Sequence, residues 1–538
     1  MAELLGTFAA PSPAESAIVH ERISKITADL SSLDTEIGRL EKILQNLQHN
    51  RKALQRLCNG HHNVLNPTRR LPVEVLGEIF IQLQHMLGGR SIAPTKVCRQ
   101  WREVAMGTSK LWSRIKIPYY NKTASLDEEM VPIWLRRSSG QPLTIELGCH
   151  GTVRETAMQD YTAVHDAIIS QSHRWKDVKL LINHSMLSFL QNMPAAFPML
   201  RNLYISRLSW SLETSWLENF ENTFTLRALT FGGGGLSPIP TFPWAGLTEC
   251  TLMGRSYKCQ DVYHILTQAV NLQTFAMKLD ARSAFSPTPV NHISLSNLSV
   301  LDIAVVSGEN SQDLFNLLTL PALTDLKVLE RGSLPDPFEY IGAMILRSRC
   351  SLKKLSLKTL DALTTHIPLL KLCNMIPSLS ELELLDDGSA GWNDSLMDLL
   401  THIPHDAAGP CCPLPKLTSI KVSVHRNFNY EKFVEFLSSR RDASTCTSGG
   451  TGLAKLRTAA LMTWDDVTAS GRRAYYVDHE TYEEFVDLRD SGLDLYFMEL
   501  GRRRTLEEYL IPGDEEDDSG TDEEDDDEMG WESPPSYF

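Results

Sequence analysis

The residues best suited to metal chemistry are Cys58, His61 and His62, which follow one another closely in the stretch CNGHH. A thiolate and two imidazoles are ligands that zinc prefers, but a structural site needs four ligands, usually in two separated pairs. One cysteine beside two adjacent histidines lacks that spacing. The ten cysteines form no CxxC motif, and Cys411 with Cys412 is the one adjacent pair. We therefore expect no metal site and predict reduced thiols that pack as small apolar groups.

The sequence contains no motif typical of a catalytic nucleophile, a metalloprotease or a nucleotide-binding loop. The patterns GxSxG, HExxH, GxxxxGK[ST] and GxGxxG are all absent. Four glycines at 232–235 are not followed by Gly-Lys-Ser or Gly-Lys-Thr, so we interpret them as a flexible loop. The sequence predicts a protein that is not an enzyme and uses no cofactor.

The charge of the chain is concentrated in one segment. The net charge is −15, but twelve acidic residues and no basic ones lie between Asp514 and Glu528, so the rest carries only −3. A nearly neutral body lacks the clustered Lys and Arg that neutralise phosphates, which argues against nucleic-acid binding. No stretch approaches the ~18 apolar residues of a membrane span, and the start lacks a positively charged leader. We expect a protein of the cytoplasm or nucleus with no membrane contact.

The elements that would position any functional residue begin with a heptad segment. Residues 1–14 are rich in Ala and Pro and are predicted to be disordered, while residues 15–60 are predicted to form a coiled-coil helix. One set of heptad positions is Ile23, Leu30, Ile37, Leu44 and Arg51, and the other is Val19, Ile26, Leu33, Leu40, Leu47 and Leu54. The stripe at residues 19–54 favours a homodimer, although a helix that folds back on its own domain would show the same pattern.

A short helical module is predicted at residues 65–117. Pro72 suits a first helical turn, and apolar residues then recur on one face of RRLPVEVLGEIFIQLQ. A second apolar helix, TKVCRQWREVA, follows a loop with Gly88 and Gly89. About fifty residues cannot bury this many large apolar groups alone, so we infer a docking face, with a self-contained helical subdomain as the alternative.

The same stretch resembles an F-box in the order of its Leu-Pro, Ile-Phe, Val-Cys, Trp-Arg and Leu-Trp pairs. The resemblance covers about a tenth of the chain and implies a three-helix module that docks on the Skp-type adaptor of a cullin-based SCF ubiquitin ligase. The heptad helix before it also resembles the architecture of large fungal F-box families. The residues that would contact the adaptor are Leu71, Pro72, Val75, Leu76, Ile79, Phe80, Val97, Cys98, Trp101, Leu111 and Trp112.

A hexamer of the form apolar-x-x-apolar-x-apolar recurs eleven times from Trp175 to Leu456. The first eight intervals between hexamers are 21–29 residues, the period of leucine-rich repeats, and each hexamer should form a short strand. Amphipathic stretches between them predict helices, so residues 175–465 should form an irregular leucine-rich-repeat-like solenoid. Most repeats lack the Asn or Cys that this family uses to satisfy backbone groups after the strand.

Residues between the buried strand positions should point to solvent, where resemblance to leucine-rich repeats implies a target-binding surface. Its candidates are Asn202, Tyr204, Asp302, Lys327, Lys354, Glu383 and Lys421. Their mixture of charges and hydroxyls suits a protein more than a polyanion. The fold class is thus α/β and multi-domain. Residues 118–174 are predicted as a linker with a strand, residues 466–511 as a helical cap, and residues 512–538 as a disordered acidic tail.

These features predict a substrate-recognition adaptor of an SCF-type ligase, with the F-box on the Skp-type subunit, and through it a cullin, and the repeats on a protein target. The alternative is a scaffold that assembles partners through its coiled coil and repeats without ubiquitin transfer.

Overall fold

The computed structural model divides into two compact units. The first comprises residues 1–87 and 92–108, and the second comprises residues 88–91 and 109–538. Within them, the structure describes residues 12–65, 67–87, 92–119, 124–148, 161–183, 186–194, 196–207, 215–233, 239–253, 257, 259–279, 291–305, 311–330, 337–359, 367–385, 397–398, 400–401, 413–424, 428–441, 453–463, 477–499 and 502–510. The predicted acidic tail lies outside these residues, as do Cys411 and Cys412.

The first unit is helical. Helix α1 (Pro13–Leu65) contains all of the heptad segment, so the helix predicted at residues 15–60 is confirmed and extends five residues further. It also begins two residues earlier, so the prediction of disorder at residues 1–14 was wrong for Pro13 and Ala14, while residues 1–11 lie outside the described residues. A 3₁₀ turn (Pro67–Arg70) leads to α2 (Val73–Met86). A second 3₁₀ turn (Ala93–Lys96) leads to α3 (Arg99–Gly107). At ~1.5 Å per residue, α1 is roughly 80 Å long.

The second unit alternates strands with helices. Its strands are β1 (Arg114–Ile117), β2 (Leu143–Leu147), β3 (Trp175–Ile182), β4 (Asn202–Arg207), β5 (Ala228–Gly232), β6 (Glu249–Met253), β7 (Thr274–Leu279), β8 (Ile293–Ser294), β9 (Val300–Val305), β10 (Leu318–Thr319), β11 (Asp325–Glu330), β12 (Lys354–Thr359), β13 (Glu381–Leu385), β14 (Ser419–Ser423), β15 (Thr458–Thr463), β16 (Asp494–Glu499) and β17 (Arg502–Arg504). Its helices are α4 (Ala124–Arg137), α5 (Thr162–Ile169), α6 (Leu187–Gln191), α7 (Cys259–Gln268), α8 (Ser311–Leu317), α9 (Pro337–Ser348), α10 (Ile367–Met375), α11 (Tyr430–Arg441) and α12 (His479–Asp490).

Fifteen of the described strands form one sheet in chain order, from β1 to β17, with β8 and β10 paired separately. Neighbouring strands are parallel until the last pair, where β17 is antiparallel to β16. Parallel neighbours require a crossover between them, which the intervening helices and turns provide. Every hexamer predicted from the sequence overlaps one of these strands. The protein is confirmed as mixed α/β with a long N-terminal helix.

Side-chain hydroxyls tie five of the strand entrances to the preceding entrance. Thr248 Oγ1 donates to the carbonyl of Arg227 at 3.2 Å, and Thr324 Oγ1 donates to the carbonyl of Ser299 at 3.1 Å. Ser299, Ser380 and Thr418 make the equivalent bond. The same carbonyls accept backbone N–H groups of the next strand. At these five entrances a hydroxyl therefore adds a bond to a carbonyl that already accepts the backbone of the next strand.

One side of the sheet packs a continuous apolar core. Leucines such as Leu203, Leu326 and Leu382 are at most 1% exposed. Near the first strands the core is aromatic, with Phe197 stacked between Trp175 (5.3 Å) and Phe220 (4.8 Å) by ring centroids. Burial of such side chains contributes ~1.5–3 kcal/mol each, so this packing is the main stabilising term of the second unit.

Two boundaries differ from the sequence prediction. The segment predicted as a linker at 118–174 contains α4, β2 and α5, and β2 is an integral strand of the sheet. The predicted C-terminal cap was wrong in its second half, because β16 and β17 extend the sheet where a helix was expected. Gly492, at φ +91°, ends α12, and the alternation that buries Leu495 and Phe497 then favours a strand over a helix.

Candidate interaction surfaces

The small helical part of the first unit has a compact aromatic centre. Phe80 on α2 is fully buried and its ring lies 5.1 Å from that of Trp101 on α3. At Gly77 a β-carbon would come within 3.0 Å of Thr108 Oγ1, so the glycine allows the close approach of α2 to the end of α3. These contacts determine which faces of α2 and α3 remain exposed to solvent.

The start of α3 is held by its own side chains. Cys98 caps the helix, because its Sγ accepts the backbone N–H of Trp101 at 3.4 Å. Arg102 Nε donates to the carbonyl of Thr95 at 2.7 Å and so ties the helix to the preceding 3₁₀ turn. Cys98 and Trp101 are therefore positioned by the local turn, with Trp101 half-buried and Cys98 exposed.

The eleven residues predicted to contact a Skp-type adaptor divide by exposure. Pro72, Val75, Ile79, Val97 and Cys98 are exposed, and Leu71 and Trp101 are half-buried. The other four, Leu76, Phe80, Leu111 and Trp112, are at most 3% exposed and pack inside the protein. We name the exposed apolar side chains Pro72, Val75, Ile79 and Val97 the docking row. Val73 and Met86 are also exposed on α2, and the sequence analysis did not select these two residues.

A groove of about 600 Å³ lies at the α3 end of this surface. It is lined by residues of the 3₁₀ turn before α2 and of the start of α3, namely Thr68, Arg69, Val97, Cys98, Arg99, Gln100, Trp101 and Glu103. The groove therefore combines apolar and charged groups, as the core and rim of a protein interface do.

Leu111 and Trp112 belong to the second unit. They lie in the 3₁₀ turn Ser109–Trp112, which directly precedes β1. The Trp112 ring meets that of Trp134 edge-on at 5.4 Å, and the Arg137 guanidinium lies 4.5 Å above it. These contacts give Trp112 a structural role at the start of the sheet, which its sequence neighbourhood did not indicate.

The second surface is the face of the sheet whose side chains alternate with the buried ones, which we name the open face. Strand register places Tyr204, Asp302, Lys327, Glu383 and Lys421 in one row across the strands. Asn202 and Lys354 lie in the adjacent row, two residues earlier on their strands. All seven predicted target-binding residues are half-buried or exposed on this face.

Many charges of the open face are paired with one another. Lys327 Nζ lies 3.3 Å from Asp302 Oδ2, and Lys354 Nζ lies 2.9 Å from Glu381 Oε2. The hydrogen bond from Lys354 to Glu381 raises the pKa of Lys354. Exposed pairs of this kind contribute only ~0–1 kcal/mol to stability, so they leave the surface free to exchange partners.

A groove of about 220 Å³ lies on the open face over β1–β5. Lys179 Nζ lies 5.2 Å from the centre of the Tyr204 ring and 3.6 Å from Glu146 Oε1, which also meets Lys116 at 3.2 Å. Glu146 and Lys116 were not among the predicted residues. The alternation in SRIKI and LTIELG would have identified them, had β1 and β2 been assigned to the sheet.

The potential metal ligands do not assemble. Across the described parts of the chain, no three His, Cys, Asp or Glu side chains are placed to hold a metal ion, and this includes Cys58, His61 and His62 on α1. Burial raises the pKa of the Cys250 and Cys373 thiols to about 12. Gly232 ends β5 and Gly233 has φ +105°; the other two glycines of that run lie outside the described residues.

No helix in the described ranges is both long and apolar enough to cross a membrane. A scan against protein-family models found no match, and a search of curated proteins found no similar chain.

Proposed function

We propose that the protein is a substrate-recognition adaptor of an SCF-type ubiquitin ligase. In this proposal residues 65–117 are an F-box that docks on a Skp-type subunit, and residues 175–465 are a leucine-rich-repeat-like solenoid that binds a protein target. The docking row is the observation that carries the proposal, because it leaves apolar side chains in water on a small, separately packed unit.

The energetic argument concerns the exposed apolar side chains. Val75 and Ile79 are each 44% exposed and Val97 is 60% exposed. Covering such a side chain is worth ~1.5–3 kcal/mol when burial is complete, so a partner that fills the row gains substantially. Trp101 beside the row adds a half-buried aromatic of the type enriched at binding hot spots.

The open face supplies the second half of the proposal. It is wide, carries both signs of charge and includes Tyr204, features that suit a protein target. The adaptor would add no reacting group. It would raise the concentration of target lysines near the ubiquitin-charged enzyme, and proximity of this kind accelerates a bimolecular step without new chemistry.

The proposal is tested by binding of the full-length chain to a purified Skp-type subunit. We expect Ile79→Asp and Val97→Asp to weaken binding roughly 10- to 100-fold, because each places a charge where apolar burial is required. Val270→Asp is the matched control, since Val270 is 49% exposed on the second unit and lies outside the docking row. Circular dichroism and thermal melting establish that all three variants remain folded.

Wild-type binding with equal losses in all three variants would contradict the docking row. No binding by the wild-type chain at micromolar concentrations would overturn the adaptor function and favour a scaffold that works without ubiquitin transfer.

A further inference from the structure

Among the described residues, the longest exposed apolar surface is the stripe along α1. Its aliphatic heptad residues from Ile23 to Leu54 are each between 51% and 67% exposed, so no described part of the chain covers them. They are Ile23, Ile26, Leu30, Leu33, Ile37, Leu40, Leu44, Leu47 and Leu54. A regular 3,4 spacing over this length is the pattern that one helix uses to pack against another.

The charges of α1 are divided between its two halves. Residues 15–42 carry six acidic and four basic side chains, a net charge of −2. Residues 43–65 carry Arg51, Lys52 and Arg56 and no acidic residue, a net charge of +3. The helix therefore has an acidic half and a basic half, and a second copy complements it when the two chains run in opposite directions.

A parallel pairing in register brings like charges together. The positions that flank the seam would place Asp29 beside Asp34 and Glu36 beside Glu41 of the second copy, on both sides of the pair. Arg51 would face Arg51 in the centre of the seam. Each of these contacts opposes association.

An antiparallel pairing keeps the apolar layers and removes most of this repulsion. When facing residue numbers sum to 77, Ile23 meets Leu54, Leu30 meets Leu47, Leu33 meets Leu44 and Ile37 meets Leu40. Arg51 then faces Ile26, within a turn of Asp29 of the second copy. One kind of like-charged contact remains, between Asp34 and Glu41 of the second copy. The parallel arrangement has two kinds, Asp29 with Asp34 and Glu36 with Glu41, and in addition the Arg51 pair.

We propose that α1 forms an antiparallel two-stranded coiled coil with α1 of a second copy, with the two-fold axis near Gly38. The contact is isologous, because each layer on one side of the axis recurs on the other. The ends of the two α1 helices at Leu65 then lie at opposite ends of the pair, so a dimer presents its two small helical modules far apart.

The natural cysteine at position 58 provides the test. In the antiparallel register Cys58 faces position 19, whereas in the parallel register it faces Cys58 of the second copy. In the full-length Val19→Cys variant under mild oxidation, we expect a covalent dimer linked between the introduced thiol and Cys58, identified by mass spectrometry of the cross-linked peptides. Adding Cys58→Ser should remove this link. Links between identical positions would overturn the antiparallel arrangement.

The oligomeric state of variants along α1 tests the coiled coil independently of cross-linking. Analytical ultracentrifugation of the wild-type chain should show a dimer, and Leu33→Asp with Leu40→Asp should yield a monomer, while Gln45→Asp, off the seam, should not. Asp29→Lys should weaken an antiparallel dimer by roughly 2- to 10-fold and strengthen a parallel one. A wild-type chain that is monomeric at tens of micromolar, or that dimerises equally well with Leu33 and Leu40 replaced, would overturn the proposal.

Discussion

Individual thiols differ sharply in their surroundings, and this difference is measurable. Cys250 and Cys373 are buried, and burial raises the pKa of each to about 12, so neither supplies thiolate near neutral pH. Cys98 is exposed at the start of α3. We expect iodoacetamide to label Cys98 in the native protein and to reach Cys250 and Cys373 only after denaturation, as read by peptide mass spectrometry. If iodoacetamide labelled Cys250 in the native protein as fast as it labels Cys98, the burial of the Cys250 side chain on β6 would be contradicted.

A buried histidine links stability to pH. His165 on α5 is 7% exposed, and its Nε2 lies 2.8 Å from Tyr119 Oη. Burial lowers the pKa of His165 to about 4, while Asp166 opposes the shift. Because the unfolded imidazole has a pKa of ~6.5, the unfolded state binds a proton first as pH falls, and stability is lost between pH ~6.5 and ~4.

Between pH 7 and pH 4.5, the free energy of unfolding of the wild-type protein should fall by roughly 2–3 kcal/mol. Urea titrations at pH 7 and pH 4.5 measure it, and His165→Gln should flatten the pH dependence. His173→Gln, at an exposed position, should keep the wild-type slope. If both variants retain that slope, His165 is not the responsible group.

At the scale of elements, each strand separates its two faces by alternation. Ile303 and Leu355 are fully buried, so truncation of either to Ala should destabilise the second unit by ~2–5 kcal/mol. Lys327 and Glu383, on the open face, should tolerate Ala with changes within ~0.5 kcal/mol. Denaturant unfolding of the four variants compares the groups. Equal losses in both would mean that the inward and outward positions are assigned incorrectly.

A buried arginine on one helix also contributes to the stability of the second unit. Arg440 on α11 is fully buried, and its guanidinium donates to the carbonyls of Leu400, Pro413 and Leu414. Arg440→Ala leaves these carbonyls without that donor and should cost ~3–5 kcal/mol. Arg457→Ala, on an exposed side chain, is the control, and denaturant unfolding compares the stability of the two variants. A smaller loss of stability for Arg440→Ala than for Arg457→Ala would mean that the bonds of Arg440 do not stabilise the second unit.

The same elements show how far sequence reasoning extends. Hexamers such as LRNLYI and LTDLKV predicted their strands because the alternation that buries Leu203 and Leu326 is local. The bonds of Thr324 to Ser299 and of Arg440 to Leu400 were not predictable, because their partners lie 25 and 40 residues away. DLYFME was mistaken for a helix because its alternation of buried and exposed residues spans only six positions. So short a segment could not be distinguished by spacing from the end of the preceding helix. For the docking row, apolar spacing and the F-box resemblance selected the residues but could not separate buried Phe80 from exposed Ile79.

At the scale of the whole molecule, the division into two units carries a prediction about independence. The sheet begins at β1 and every described strand belongs to the second unit, so its hydrogen bonding is complete without residues before 109. A fragment of residues 109–538 should therefore be produced as a folded protein with a cooperative thermal transition and the strand signal of the full-length chain by circular dichroism. It should also retain capture of any target bound by the open face while losing the Skp-type subunit. A fragment that starts at residue 142 is the informative contrast, because it lacks β1 and α4, leaves the edge of β2 unpaired and loses the whole cluster of Trp112, Trp134 and Arg137. We expect this shorter fragment to aggregate or melt at lower temperature. Were both fragments to behave alike, or the longer one to be unfolded, the packing of β1 and its 3₁₀ turn would not be the boundary of an independent unit.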